Sequence, residues 1–138
     1  MNKKNEGIYI SIKPIFVDLI LKNEKNYEFR KYVPNEKFDK IYIYETLPKA
    51  RIKYVIEVKE ISEFPEKIDT TGIGNIEFNN GTKKSKYAYK LGKIFFLERE
   101  LKLGELREKY KFVPPQSFAY TERYKELTDY INKNIKEL

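Results

Sequence analysis

The chain has 138 residues, with 28 Lys and Arg against 21 Asp and Glu, a formal charge of +7, and no cysteine, histidine or tryptophan. Those absences exclude zinc fingers, Cys/His metal sites, thiol nucleophiles, thiol redox sites and serine–histidine triads. Any catalysis must rest on Lys, Asp, Glu, Ser, Thr or Tyr, and any metal would be a hard cation held by carboxylates, for which Asp18, Asp39 and Asp69 show no clustering.

Taken in chain order, residues 1–6 (MNKKNE) are a polar leader without the apolar run of a signal peptide, so the cytoplasm is the expected compartment. Gly7–Ser11 (GIYIS) has the β-branched and aromatic content of a strand. Ser11 is placed to cap a helix, with Pro14 in its first turn and Phe16, Leu19 and Ile20 along its apolar face. The polar run Lys22–Asn26 ends it, and Tyr27–Tyr32 (YEFRKY) alternates as a second strand. Phe38–Tyr44 is a third, with Ile41 and Ile43 on one face and Tyr42 and Tyr44 on the other. Arg51–Glu60 is a fourth. Residues 61–83 are rich in turn signals and leave room for a short helix.

Lys86–Phe96 is a further strand, with a break expected at Gly92. Leu103–Tyr110 is a short amphipathic helix. Phe112-Val113-Pro114-Pro115 is an extended turn, and Thr121 is placed to cap a last helix running to about Ile135. No run of about 18 apolar residues exists to span a membrane as a helix. The pattern predicts one mixed α/β (α+β) domain, 7–120, built on a barrel of about five to six strands, with residues 121–138 packing on it as a helix.

The densest cluster of chemistry is Lys25-Asn26-Tyr27-Glu28-Phe29-Arg30. Strand alternation puts Glu28 and Arg30 on one face and Tyr27 and Phe29 on the other. If the aromatics enter the core, the charged pair lines the surface or a cleft. There Arg30 would offer a planar fork to phosphate or a base edge, Glu28 would orient it or carry a proton, and Lys25 would contact phosphate or act as a base. An ordinary solvated salt bridge remains the alternative. Arg51, Lys53, Glu57 and Lys59 form a second charged stripe, with Glu57 a candidate for the same pocket. Lys83, Lys84, Lys86 and Lys90 interleave with Tyr87 and Tyr89, a mixture suited to single-stranded RNA by phosphate contact and base stacking. Core-edge packing of those tyrosines is the competing reading. Pro114 and Pro115 stiffen the backbone that presents Gln116 and Ser117, either as readers of a base edge or as a strand cap.

In this order the segments resemble the ASCH domain of the PUA-like superfamily. The likeness rests on Ser11-Ile12-Lys13-Pro14, Lys25-x-x-Glu28-Phe29-Arg30, Ile41-Tyr42-Ile43-Tyr44, Tyr87-Ala88-Tyr89 and Pro114-Pro115-Gln116-Ser117-Phe118. It implies a PUA-like β-barrel flanked by helices, with an RNA- or nucleotide-binding cleft serving transcription or translation. The nucleic-acid contacts expected from these segments and the resemblance together are Lys13, Lys25, Glu28, Arg30, Arg51, Lys53, Lys84, Lys86, Tyr87, Gln116 and Ser117, with no metal and no cofactor. One branch of the family resembles small amidohydrolases that deacetylate N4-acetylcytidine with a Lys, a Thr and a Glu, which would make Lys25 and Glu28 catalytic. Here Glu28 stands where the threonine would be, and Asn23 replaces the usual glycine two residues before the motif lysine. The readings are therefore an RNA- or nucleotide-binding module, a hydrolase of a modified nucleoside, or a protein-binding regulatory subunit. The oligomeric state is open.

Overall fold

The protein is described by a computed structural model covering residues 6–138; most of the expected leader lies outside the described residues. Among the described residues seven strands and four α-helices follow one another: β1 (Ile8–Ile12), α1 (Pro14–Leu21), β2 (Tyr27–Arg30), β3 (Lys40–Glu45), β4 (Arg51–Glu63), α2 (Asn75–Asn79), β5 (Tyr87–Lys102), α3 (Leu103–Tyr110), β6 (Ala119–Tyr120), α4 (Lys125–Asn134) and β7 (Ile135–Glu137). All strands form one sheet in the order β2-β5-β4-β3-β1-β6, and β7 pairs with β5. The β1–β3 pair is parallel and the others are antiparallel. This is the expected mixed α/β architecture, a sheet flanked by helices.

The sheet is buried on both faces because its strands are apolar at both parities. Tyr9, Tyr42 and Tyr44 point to one side, where Leu106 of α3, Phe112, and Leu127 and Ile131 of α4 cover them. Ile8, Ile10, Ile41 and Ile43 point to the other, under Val17 and Ile20 of α1, Phe38 and Tyr89. Tyr9 ties the first layer together by a 2.6 Å hydrogen bond to Thr128, and burial pushes its hydroxyl well above the usual tyrosine range.

Several local expectations change. Ser11 does not cap α1: it lies within β1, and its hydroxyl donates to the Pro115 carbonyl at 2.7 Å. Lys13 takes the cap position and Pro14 opens the helix, where its missing N–H is harmless. The buried face of α1 is Val17 and Ile20, while Phe16 is 41% exposed. Gly92 does not end a strand. β5 runs through it, and the extra residues are absorbed as register shifts against β4 between Ile56 and Glu60. Thr121 opens a 3-10 turn, Thr121–Tyr124, before α4, and the chain after α4 returns to the sheet as β7 instead of continuing as helix. Residues 64–80 contribute α2 and a third, smaller cluster in which Phe78 and Ile68 pack on Tyr27, Ala88 and Phe29. No helix among the described residues is long and apolar enough to cross a membrane.

Candidate functional site

The ladder is open between β2 and β6, and this seam forms a cleft. Arg30, at the end of β2, reaches across it and donates from Nη2 to the carbonyl of Ser117 at 3.2 Å. The cleft has a volume of about 390 Å³ and lies between Ile8 and Ile10 of β1, Arg30 through Tyr32, Ser85, Tyr89 and the 116–118 segment. Its far wall is held at two points, by Ser11 on Pro115 and by Arg30 on Ser117. The side chains of Gln116 and Ser117 remain exposed on the rim.

The two faces of β2 are used in the opposite sense from a strand with an aromatic interior. Phe29 pairs across with Ala88 and belongs with Tyr27 to the small cluster on α2. Glu28 pairs with Tyr89 and Arg30 with Tyr87, so the charged residues occupy the face that carries the main apolar layer. Glu28 is buried and sits between two cations, 3.1 Å from Nη1 of Arg30 and 3.6 Å from Nζ of Lys25. Only Arg30 of the three lines the cleft; Glu28 and Lys25 form a row behind it. Arg30 and Lys31 are the cations that line the cleft, and Glu28, ion-paired with Arg30, lies behind it.

Lys25 is placed by the end of α1. The chain turns at Asn23, whose φ of 63° is left-handed; asparagine tolerates this where the related motif has glycine. The Lys25 amine then donates to the Tyr27 carbonyl at 2.7 Å and lies over the ring of Phe29, 4.8 Å from its centroid, with Lys83 at 4.6 Å from the same ring. Burial pulls its pKa below the ordinary lysine value; Glu28 opposes that shift and Lys83 adds to it. Tyr89 is also buried, pushed up to about 12 by desolvation, and its hydroxyl donates to the Tyr32 carbonyl at 2.9 Å.

The remaining sequence candidates disperse. Arg51 is bound to the buried Glu45 at 2.8 Å and to Glu100, and Lys53 donates to the Leu97 carbonyl at 2.8 Å. Both face the far end of β4, away from the cleft lining. Glu57 does not join Arg30's pocket; it accepts from the Lys93 amide at 3.1 Å. Lys86 is occupied by the carbonyls of Gly81 and Lys83 at 3.0 and 2.7 Å. Tyr87 is half-buried beside Arg30, while Lys84 and Lys13 are exposed outside the cleft lining. Sequence reasoning missed Tyr32, Ser85 and Phe118 as lining residues. Tyr32, 66% exposed at the end of an alternating run, carried the one readable signal. No threonine lines the cleft; its hydroxyls come from Tyr32, Ser85, Tyr89 and Ser117. Among the described residues no cluster of acidic side chains could hold a metal.

The strand order, the helices on both faces and the polar seam can be set against solved structures. Among the solved structures that this chain matches are those of an ASCH protein from Zymomonas mobilis. The unmodified protein is 21% identical with a TM-score of 0.63, over 90% of this chain and 94% of that one. A serine-to-alanine variant is 20% identical with a TM-score of 0.65, over 94% and 99%. A tyrosine-to-phenylalanine variant is also 20% identical, with a TM-score of 0.66 over 90% and 97%. The chain therefore has the ASCH fold, as its motifs suggest. No family model matches it, and no curated protein does.

Proposed function

We propose that this chain binds RNA or nucleotides through the seam cleft, with Arg30 as its principal anion contact. The observation that carries the reading is the position of Arg30. It is a partly exposed guanidinium, fixed by Glu28 at its back and Ser117 at its side, with the rest of its donor fork turned to a cleft rimmed by Gln116, Ser117 and Tyr32. A planar, pre-oriented fork suits phosphate or a base edge, and an exposed tyrosine suits stacking. The cleft would serve one nucleotide at a time. A regulatory role in transcription or translation and a cytoplasmic setting belong to the same reading.

Arg30→Ala should weaken binding of single-stranded RNA about tenfold in a low-salt titration, while Lys133→Ala on the exposed side of α4 should change it less than twofold. Equal losses would reduce the cleft to general charge attraction.

One observation favours a second reading, a hydrolase of a modified nucleoside. Lys25 is a buried amine beside a carboxylate with its pKa lowered by burial, the direction that favours a lysine acting as base or nucleophile. Against N4-acetylcytidine, acetate release that disappears in Lys25→Met supports it; no acetate at high enzyme concentration removes that substrate.

A further inference from the structure

Two amines share one aromatic ring beside the cleft. Lys25 and Lys83 lie 4.8 and 4.6 Å from the centroid of Phe29, a residue that also lines the cleft. They arrive from different parts of the chain, Lys25 from the turn after α1 and Lys83 from the segment between α2 and β5. Lys25 has Glu28 at 3.6 Å as its counter-ion and shares that carboxylate with Arg30. The Lys83 amine has no carboxylate partner among the described residues.

Two features of the backbone place Lys83 on the ring. The Lys86 amine donates to the carbonyls of Gly81 and Lys83, at 3.0 and 2.7 Å, and so fixes the segment from which the Lys83 side chain leaves. Gly74 leaves the space that this side chain occupies. Its φ of 88° favours glycine, and a Cβ there would fall 2.9 Å from the Phe29 ring, 3.0 Å from Cε of Lys83 and 3.3 Å from its Nζ.

Packing does not call for a second ammonium at this point, since Lys25 already supplies the cation–π contact and like charges repel. The charged groups acting on the Lys25 amine are Glu28 and Arg30 of β2 and Lys83, while α1 contributes the ring of Phe16 at 5.7 Å. Burial is the strongest influence and favours the neutral amine; Glu28 opposes it, and Lys83 and Arg30 add to it. Arg30 is ion-paired with Glu28, so Lys83 is the cation without a carboxylate of its own. A desolvated lysine beside another cation is an arrangement that activates an amine.

We propose that Lys83 is a positioning residue that acts through Lys25: by holding a second ammonium on the same ring, it favours the uncharged Lys25 amine that a base or nucleophile needs. The inference rests on the second reading above, in which Lys25 acts on a modified nucleoside, and names the residue that prepares it.

The test is an NMR titration of the whole chain that follows the lysine Cε–Hε signals, with Lys25 identified by the signal lost in Lys25→Met. In Lys83→Met, which keeps an unbranched apolar side chain on Phe29, the neutral fraction of Lys25 at pH 9 should fall about threefold, the size expected for removing one nearby ammonium screened by partial solvation. Lys83→Arg returns a cation to the ring and should restore the wild-type curve. A Lys25 curve that is unmoved in Lys83→Met, or moved the other way, overturns the proposal. So does an equal shift in both variants, because lysine packing and not charge would then be responsible. Acetate release from N4-acetylcytidine separates the inference from the reading it rests on. A Lys83-dependent titration without acetate keeps the amine pair and removes that substrate. Acetate release by a chain whose Lys25 titration ignores Lys83 keeps the substrate and removes the pair.

Discussion

Lys25 has the most unusual environment of any cation in the site. Its amine is buried against Phe29, donates to a backbone carbonyl and shares Glu28 with Arg30. Burial outweighs the attraction of Glu28, so the folded amine holds its proton less tightly than the unfolded one, whose ordinary value is 10.5. Between the folded and unfolded values the unfolded chain binds more protons, and stability rises with pH across that window. Compared at each pH with Lys25→Met, which has no such amine, the wild type should therefore gain stability as the pH is raised toward 10.5. Urea denaturation of both proteins at stepped pH measures this directly. A constant difference between them would mean that Lys25 is an ordinary solvated lysine, and with it would go the case for a lysine tuned to chemistry. Glu28 is the reason the row exists at all. A buried carboxylate needs partners, and it has one cation on each side.

At the scale of elements, the cleft depends on how β1 sits between β3 and β6. Gly7 immediately precedes β1, and its carbonyl accepts from the Thr121 amide at 3.1 Å just beyond β6. A Cβ there would fall 2.5 Å from the Lys40 carbonyl oxygen and 2.8 Å from the Tyr42 ring. Neither is a flexible side-chain end, so β1 would have to move. Gly7→Ala should cost about 2 kcal/mol in urea denaturation, within the usual range for overpacking a tight site. It should also weaken RNA binding, because Ile8 and Ile10 of the displaced strand line the cleft. Stability within 0.5 kcal/mol of wild type, on the order of a surface substitution, would show that the β1 register is not what holds this wall.

Period-two alternation made β1, β3 and β4 readable, since it fixes which residues share a face. It does not say which face becomes interior, and that is why Tyr27 and Phe29 could be grouped correctly and still end in a side cluster on α2 while Glu28 and Arg30 took the main face. The motif residues Lys25, Glu28, Arg30, Gln116 and Ser117 were legible. Their relation was not, because the Arg30–Ser117 contact joins positions 87 apart in sequence and follows from the curl of the whole sheet. The same limit scattered the Arg51 and Lys53 stripe, whose partners Glu100 and Leu97 lie on a neighbouring strand.

For the molecule as a whole, a formal charge of +7 is a weak guide by itself, because much of it is neutralised locally or spent on backbone carbonyls, as at Arg51, Lys53 and Lys86. Part of the remaining charge, Arg30 and Lys31, lines the seam cleft. The absence of histidine gives that arrangement a specific consequence. No side chain with an ordinary value between pH 6 and 8 is present to switch it. At fixed ionic strength, RNA affinity should therefore stay constant within about twofold from pH 6 to 8. It should decline only at higher pH, and Lys25 should lose its charge before the exposed lysines because its pKa is lowered. Anisotropy titrations at stepped pH, run beside Lys25→Met, measure the effect: the variant should lack the first part of the alkaline decline and keep the plateau. A fall in affinity already between pH 6 and 7 that persists in Lys25→Met would show that a group other than Lys25 controls binding, and the row behind Arg30 would no longer be the electrostatic centre of the site.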